Sequence, residues 1–217
     1  MTKNFFSGFI LIMDICGVSF GAKPINSITI KKYSKKKQDF IDVPAKFVRL
    51  EADNRSDIRV LDKVAQQWTG ADYIRRIATA SHWMNELPIS IYALTTQTDK
   101  FDKLKSSKIL AFAEMRLNEN FPKYDSLYYL QVKPEAMNMG KDKKKGYQSV
   151  GTSVIKSLKK IYHNISLFSA DSPYVENFYK KNGFIEDYML TRHYLWSSNV
   201  LRRMKIRVDN FIHKYGF

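Results

Sequence analysis

The stretch from Ser126 to Phe184 restricts the fold of this 217-residue chain more than any other. Leu127–Val132 reads Leu-Tyr-Tyr-Leu-Gln-Val, a nearly unbroken apolar and aromatic run of the kind expected for a strand covered on both faces. Gly146 and Gly151 then bracket a turn that opens directly into a helix, with Val150, Val154, Ile155, Leu158 and Ile161 on one side. A second apolar strand follows at Ile-Ser-Leu-Phe. After it, Ser172 as N-cap, Pro173 at the first helical position and Gly183 just past the end mark another helix. The order is strand, turn, helix, strand, helix, strand. A glycine-bounded turn running into a helix leaves backbone N–H groups unpaired at the positive end of the helix dipole, which suits a phosphate or diphosphate.

Three short motifs in this stretch resemble those of the GCN5-related N-acetyltransferase (GNAT) family. The family's valine-x-proline at the end of its central strand corresponds to Val132-Lys133-Pro134. Its acyl-CoA loop corresponds to Gly146-Tyr147-Gln148-Ser149-Val150-Gly151-Thr152. Its later phenylalanine-tyrosine and glycine-phenylalanine pairs correspond to Phe178-Tyr179 and Gly183-Phe184. The loop departs from the pattern: Gly146 stands where a basic or amide residue is expected, and Ser149 replaces the first glycine. A frame starting at Gln148 also misses by one residue. An insertion carrying Lys141, Lys143, Lys144 and Lys145 separates Pro134 from the loop.

The resemblance implies an α/β (α+β) fold with a mixed, centrally splayed sheet flanked by helices. Residues 1–44 read as an N-terminal extension, 45–196 as the acetyltransferase-like domain and 197–217 as an amphipathic helix packed on it. Flanking patterns agree with that order. A strand is expected at Ala45–Leu50 and a helix at Asp57–Trp68, with Ser56 or Asp57 as its N-cap. A second helix would carry Tyr73, Ile74, Ile77, Ala80 and Met84. Strands follow at Ile89–Thr95 and Lys108–Leu117, and another at Tyr188–Trp196. The final helix would turn Leu201, Met204, Val208, Phe211 and Ile212 inward, with Arg202, Arg203, Lys205 and Arg207 in solvent; contact of this basic amphipathic helix with nucleic acid or a membrane surface is the alternative. The stretch Ser27–Lys37, a Thr/Ile run leading into Lys31, Lys32, Lys35, Lys36 and Lys37, reads as part of the extension with a basic face, either a strand or a solvated tail, and contact of its lysines with an anionic partner is the alternative to solvation.

The same resemblance assigns candidate roles. Backbone groups of Leu130, Gln131 and Val132 would hold the pantetheine arm and polarise the thioester carbonyl. Gly146, Tyr147, Gln148, Ser149, Val150, Gly151 and Thr152 would cradle the diphosphate, and Ser172 and Asn177 lie where the family often contacts the cofactor. Tyr179 is the candidate general acid, since a phenol stays protonated at neutral pH. The expected strand carboxylate is missing from Leu127–Val132, which leaves Glu114 as candidate base, with Asp125, a water chain or an acceptor amine of low pKa as alternatives.

Composition bounds the partners. The formal net charge of +15 points to an anionic one: coenzyme A itself, and beyond it RNA, a ribosome or an acidic protein. One cysteine, Cys16, excludes an internal disulfide, and the scattered histidines give no metal-binding spacing, so no metal is expected. The apolar run Phe5–Ile12 is too short to span a bilayer; a cytoplasmic location is expected, with secretion through an atypical signal as the alternative. The reading is an N-acetyltransferase that moves acetyl from acetyl-CoA to a primary amine on a protein, an aminoacyl group on RNA or a small molecule. The alternative is a non-catalytic module of the same fold that binds nucleic acid or an acidic protein.

Overall fold

The computed structural model describes residues 21–51, 54–68, 73–74, 76, 89–117, 123–136 and 146–216. Its strands are β1 (Lys23–Ser34), β2 (Asp39–Leu50), β3 (Ile89–Thr95), β4 (Ile109–Leu117), β5 (Asp125–Val132), β6 (Tyr147–Gln148), β7 (Asn164–Phe168), β8 (Ile185–Glu186) and β9 (His193–Ser197). The helices are α1 (Arg55–Gln67), α2 (Val150–Ile161), α3 (Pro173–Lys181) and α4 (Val200–Tyr215). The strands form one sheet in the order β6-β1-β2-β3-β4-β5-β7-β9-β8. Neighbours are antiparallel except β5 and β7, which run parallel.

That parallel pair produces the splay. β5 and β7 pair only at Asp125 with Ile165 and Ser126 with Ser166, and then diverge. From Leu127 to Val132, β5 keeps β4 on one side and, among the described residues, has no strand on the other. A strand without a neighbour leaves the N–H and C=O groups of one edge unpaired. Of its side chains only Leu127 is buried and Tyr128 is largely exposed, so the run expected to be covered twice is instead the wall of an opening.

Alternation along the strands divides the core in two. Phe47 faces a cluster with α2 that includes Val154, Ile155, Leu158, Ile165 and Leu167. Its neighbour Val48 faces the other cluster, where α1 inserts Val60, Leu61 and Val64 against Ile91, Ile109 and Phe112. Large apolar side chains buried this completely each contribute about 1.5–3 kcal/mol. The sheet is thus sandwiched, with α2 on one face and α1 on the other.

Several boundaries differ from the sequence reading for identifiable reasons. The sheet begins at Lys23 rather than Ala45, because β1 and β2 form a long hairpin whose Ile30 and Ala45 are buried in the core. Of the two readings of the basic stretch, the strand holds from Lys31 to Ser34 and the solvated tail does not. The cap of α1 is Asn54: its side chain accepts the amides of Ser56 and Asp57, while the Asp57 carboxylate turns back to accept the Glu51 N–H at 2.9 Å. The last strand begins only at His193 because residues 187–192 form turns. Most of the helix expected to carry Tyr73–Met84, the lysine insertion and the Phe5–Ile12 run lie outside the described residues.

The largest correction concerns α4. Leu201, Met204, Val208, Phe211 and Ile212 do not pack inward; their exposures run from 42% to 75%. The helix is held instead by its polar side. Arg203 Nη1 donates to the Ser197 carbonyl at 2.6 Å and Asn210 Nδ2 to the Glu186 carbonyl at 2.6 Å. Tyr188 N–H donates to Asn210 Oδ1 at 3.2 Å, and the Tyr188 ring stacks on His213. Edge strand β8 and the end of β9 offer main-chain carbonyls, at Glu186 and Ser197, that need partners, and the polar face of α4 supplies them.

Candidate functional site

The site is built around the start of α2. Gly146 has φ +113°, and a Cβ there would lie 2.2 Å from the Glu135 carbonyl oxygen, so only glycine fits this turn. β1 fixes the turn from outside: Tyr33 N–H donates to the Gly146 carbonyl at 2.9 Å, and Lys31 and Lys32 pair with Gln148 and Tyr147. Ser149, the N-cap, has φ +61° and makes no side-chain cap bond. The first bond of the helix is Ser153 N–H to the Ser149 carbonyl at 2.8 Å. Among the described residues, the amides of Val150, Gly151 and Thr152 have no partner, and no acidic side chain occupies the first turn. Gly151 lets the Phe178 ring of α3 close against this turn, since a Cβ would come 3.1 Å from that ring.

These amides border a cavity of about 550 Å³ whose other wall is the splayed half of β5. Lys133 N–H donates to the Leu110 carbonyl of β4 at 2.8 Å. By alternation, the N–H and C=O groups of Val132 and Leu130 point away from β4, toward the gap left by β7. The cavity therefore combines three elements: uncapped helix amides, strand-edge donors and acceptors, and an apolar lining from Val132, Val150, Val175 and Phe178. That combination suits an extended ligand with an anionic diphosphate and an amide-bearing arm.

Tyr179 reaches the cavity from α3. Its ring is buried among Phe178, Phe184 and Tyr194, and its hydroxyl has no hydrogen-bond partner among the described residues. Burial pushes its pKa up to about 12, so the phenol is held protonated as a proton donor must be.

Glu114 lies elsewhere. It is fully buried on β4 as the cross-strand partner of Tyr129, on the sheet face that carries Phe112 and α1. Tyr73 donates to its Oε2 at 3.1 Å, Arg116 Nε donates to its Oε1, and Arg116 Nη2 donates to the Tyr73 hydroxyl at 3.0 Å. The Arg116 guanidinium stacks over Tyr128 at 3.6 Å. Burial and the Glu114 carboxylate together raise the Tyr73 phenol well above its usual range and push Tyr129 up to about 12. The Tyr129 hydroxyl in turn donates to Gln131 Oε1, and Gln131 lines the cavity. The two faces of the splay are thus joined through Glu114, Tyr129 and Gln131.

Of the residues singled out from sequence, Leu130, Gln131, Val132, Tyr147, Gln148, Ser149, Val150, Gly151, Thr152 and Tyr179 line this one cavity. Gly146 shapes the turn behind it. Ser172 begins α3 without a side-chain cap bond, and Asn177 is exposed; neither lines the cavity. Asp125 sits at the paired end of β5, away from Leu130–Val132, and burial raises its carboxyl. Tyr174 and Val175 line the cavity and were not anticipated. Lys32 was also missed: its Nζ lies 5.6 Å from the centre of the Tyr147 ring, beside the turn. The signal for it was the Ser27–Lys37 stretch, where a strand with a basic face and contact with an anion were both open readings, but its place beside the turn needs the pairing of β1 with β6.

No protein-family model matches this chain, and no curated protein matches its sequence. Solved structures do. An acetyltransferase from Thermus thermophilus matches at 10% identity with a TM-score of 0.49, over 70% of this chain and 96% of that one. A GNAT-family acetyltransferase structure from Desulfovibrio desulfuricans matches at 10% identity with a TM-score of 0.43, over 71% of this chain and 99% of that one. The AtaTR structure, bound with acetyl-CoA, matches at 14% identity with a TM-score of 0.46, over 76% and 96%. Two of these three structures are described as acetyltransferases, one of them of the GNAT family.

Proposed function

We propose that this chain is an acyl-CoA-dependent N-acetyltransferase that acetylates a primary amine carried on an anionic acceptor. The observation that carries this reading is the single cavity that brings the uncapped start of α2, the unpaired edge of β5 and Tyr179 together. The amides of Val150, Gly151 and Thr152 would hold the diphosphate of coenzyme A, with Lys32 and Tyr147 at its margin. Leu130 and Val132 would hold the pantetheine arm through main-chain hydrogen bonds. Bound there, acetyl-CoA supplies a thioester carbonyl open to attack by a neutral amine.

Strand-edge N–H donors at the splay would then stabilise charge developing on the carbonyl oxygen. As the C–S bond breaks, Tyr179 would give its proton to the departing sulfur, and the phenolate would recover the second proton that the acylated nitrogen sheds. Glu114, on the opposite face, is the candidate to receive the proton of the incoming ammonium, directly or through Tyr73. Arg116 positions that carboxylate. An acceptor attached to RNA or an acidic protein fits the formal net charge of +15 better than a free polycation does.

The test is release of free thiol from acetyl-CoA with amines presented on aminoacyl-RNA, on acidic peptides and as free polyamine. Turnover on an anionic carrier is the expected result. Tyr179→Phe should lower kcat by roughly 100-fold, the lower range for lost general-acid catalysis, while acetyl-CoA binding is kept. Glu114→Gln should lower kcat while acetyl-CoA binding is kept. Salt-dependent RNA binding with no acetyl-CoA binding would identify a non-catalytic module instead. The αL strain at Ser149 in the cofactor turn is the observation that favours that second reading.

A further inference from the structure

We propose that the outward face of α4 is a docking ridge for a bilayer surface rich in anionic headgroups. Leu201, Met204, Val208, Phe211 and Tyr215 recur at alternating spacings of three and four, so they form one stripe along the helix, widened by Ile212. None of the helix's residues is buried. Arg203 and Asn210, which bind the domain, lie on the other side with half-buried Ile206, so the stripe points straight away from the fold. A contiguous apolar ridge standing proud of a domain marks an interaction site.

Charge and shape select the occupant. Lys205 lies along one margin of the stripe, and Arg207 and Lys214 along the other. The helix has one carboxylate, Asp209, and it is engaged with Lys205 at 2.7 Å. A second copy of the chain would bring Arg207 and Lys214 against like charges. It would also have to associate through one face of a 16-residue helix, where a stable interface needs about 800 Å² from each partner. A lipid surface has neither difficulty. The apolar stripe enters the headgroup boundary, the methylene stems follow it, and the cationic heads remain level with phosphate.

Co-sedimentation with vesicles tests this on the full-length protein. One preparation is phosphatidylcholine alone; the other is equal parts phosphatidylcholine and phosphatidylglycerol. The wild type should bind the anionic vesicles and bind about tenfold more weakly to the neutral ones. A Met204→Glu/Val208→Glu variant should bind anionic vesicles about tenfold more weakly, with an unchanged circular dichroism spectrum and thermal midpoint. Three results would overturn the proposal. They are no vesicle binding, equal binding by the variant, which would assign the effect to general basic charge, and a wild-type dimer in sedimentation velocity that the variant loses, which would assign the ridge to a second copy.

Discussion

α1 and α2 begin in opposite ways on opposite faces of one sheet. At α1, Asn54 has extended backbone (φ −85°), its Oδ1 accepts the amides of Ser56 at 2.8 Å and Asp57 at 3.3 Å, and Asp57 adds an acidic residue to the first turn. At α2, Ser149 is left-handed, its hydroxyl caps nothing, and no acid follows. A capped start adds about 1 kcal/mol of stability, whereas a serine held in the left-handed region costs about 1–2 kcal/mol. One helix start is organised for stability; the other keeps its donors open toward a cavity. The difference teaches that an unsatisfied end is read best by what it faces: here, a 550 Å³ space with a strand edge on its far side.

Three substitutions break or sharpen the contrast. The largest effect is expected from Ser149→Asp, which puts a negative charge beside the open amides of α2. Acetyl-CoA affinity should fall by about 100-fold, equivalent to about 2.8 kcal/mol, while the thermal midpoint holds or rises. Calorimetric titration beside a melting curve checks both, and unchanged affinity would mean that these amides hold no anion. Asn54→Ala should do the reverse. Stability should drop by about 1 kcal/mol, or about 2–4 °C in Tm for a chain of this size, with acetyl-CoA affinity untouched; a drop in affinity would join the two helix starts that the account separates. The smallest effect belongs to Ser149→Gly, which relieves the left-handed strain. A gain of about 0.5–1 kcal/mol in urea unfolding is expected, with affinity equal to or tighter than wild type. A loss of affinity there would assign the serine hydroxyl a direct contact.

Much of the fold was legible because it rests on local pattern. The periodicity of Val150, Val154, Ile155 and Leu158 and the strand at Ile89–Thr95 place α2 and β3 directly. Pro173 and Gly183 bracket α3 as read, with Gly183 at φ +79° beyond its end. The cavity residues of the α2 turn were legible for the same reason. What was hidden depends on partners distant in sequence. Lys31 and Lys32 read equally as strand or tail until a hairpin to β2 and pairing with β6 put them beside the turn. Exposure of β5 follows from a neighbour that pairs at only its first two residues. For α4, amphipathic spacing identifies a helix and its apolar side correctly but does not say which side meets the domain. Arg203 and Asn210 decided that, through carbonyls at Ser197 and Glu186. The Glu114 cluster was visible only as one carboxylate, because Tyr73 and Arg116 converge on it through tertiary structure.

The most direct measurement is calorimetric titration of acetyl-CoA into the wild-type protein, paired with thermal shift. The account predicts one site per chain, with micromolar-range affinity of about −8 kcal/mol and a raised melting temperature. No heat at two temperatures and no shift in melting would contradict it. In that case the open start of α2 would not be an anion site.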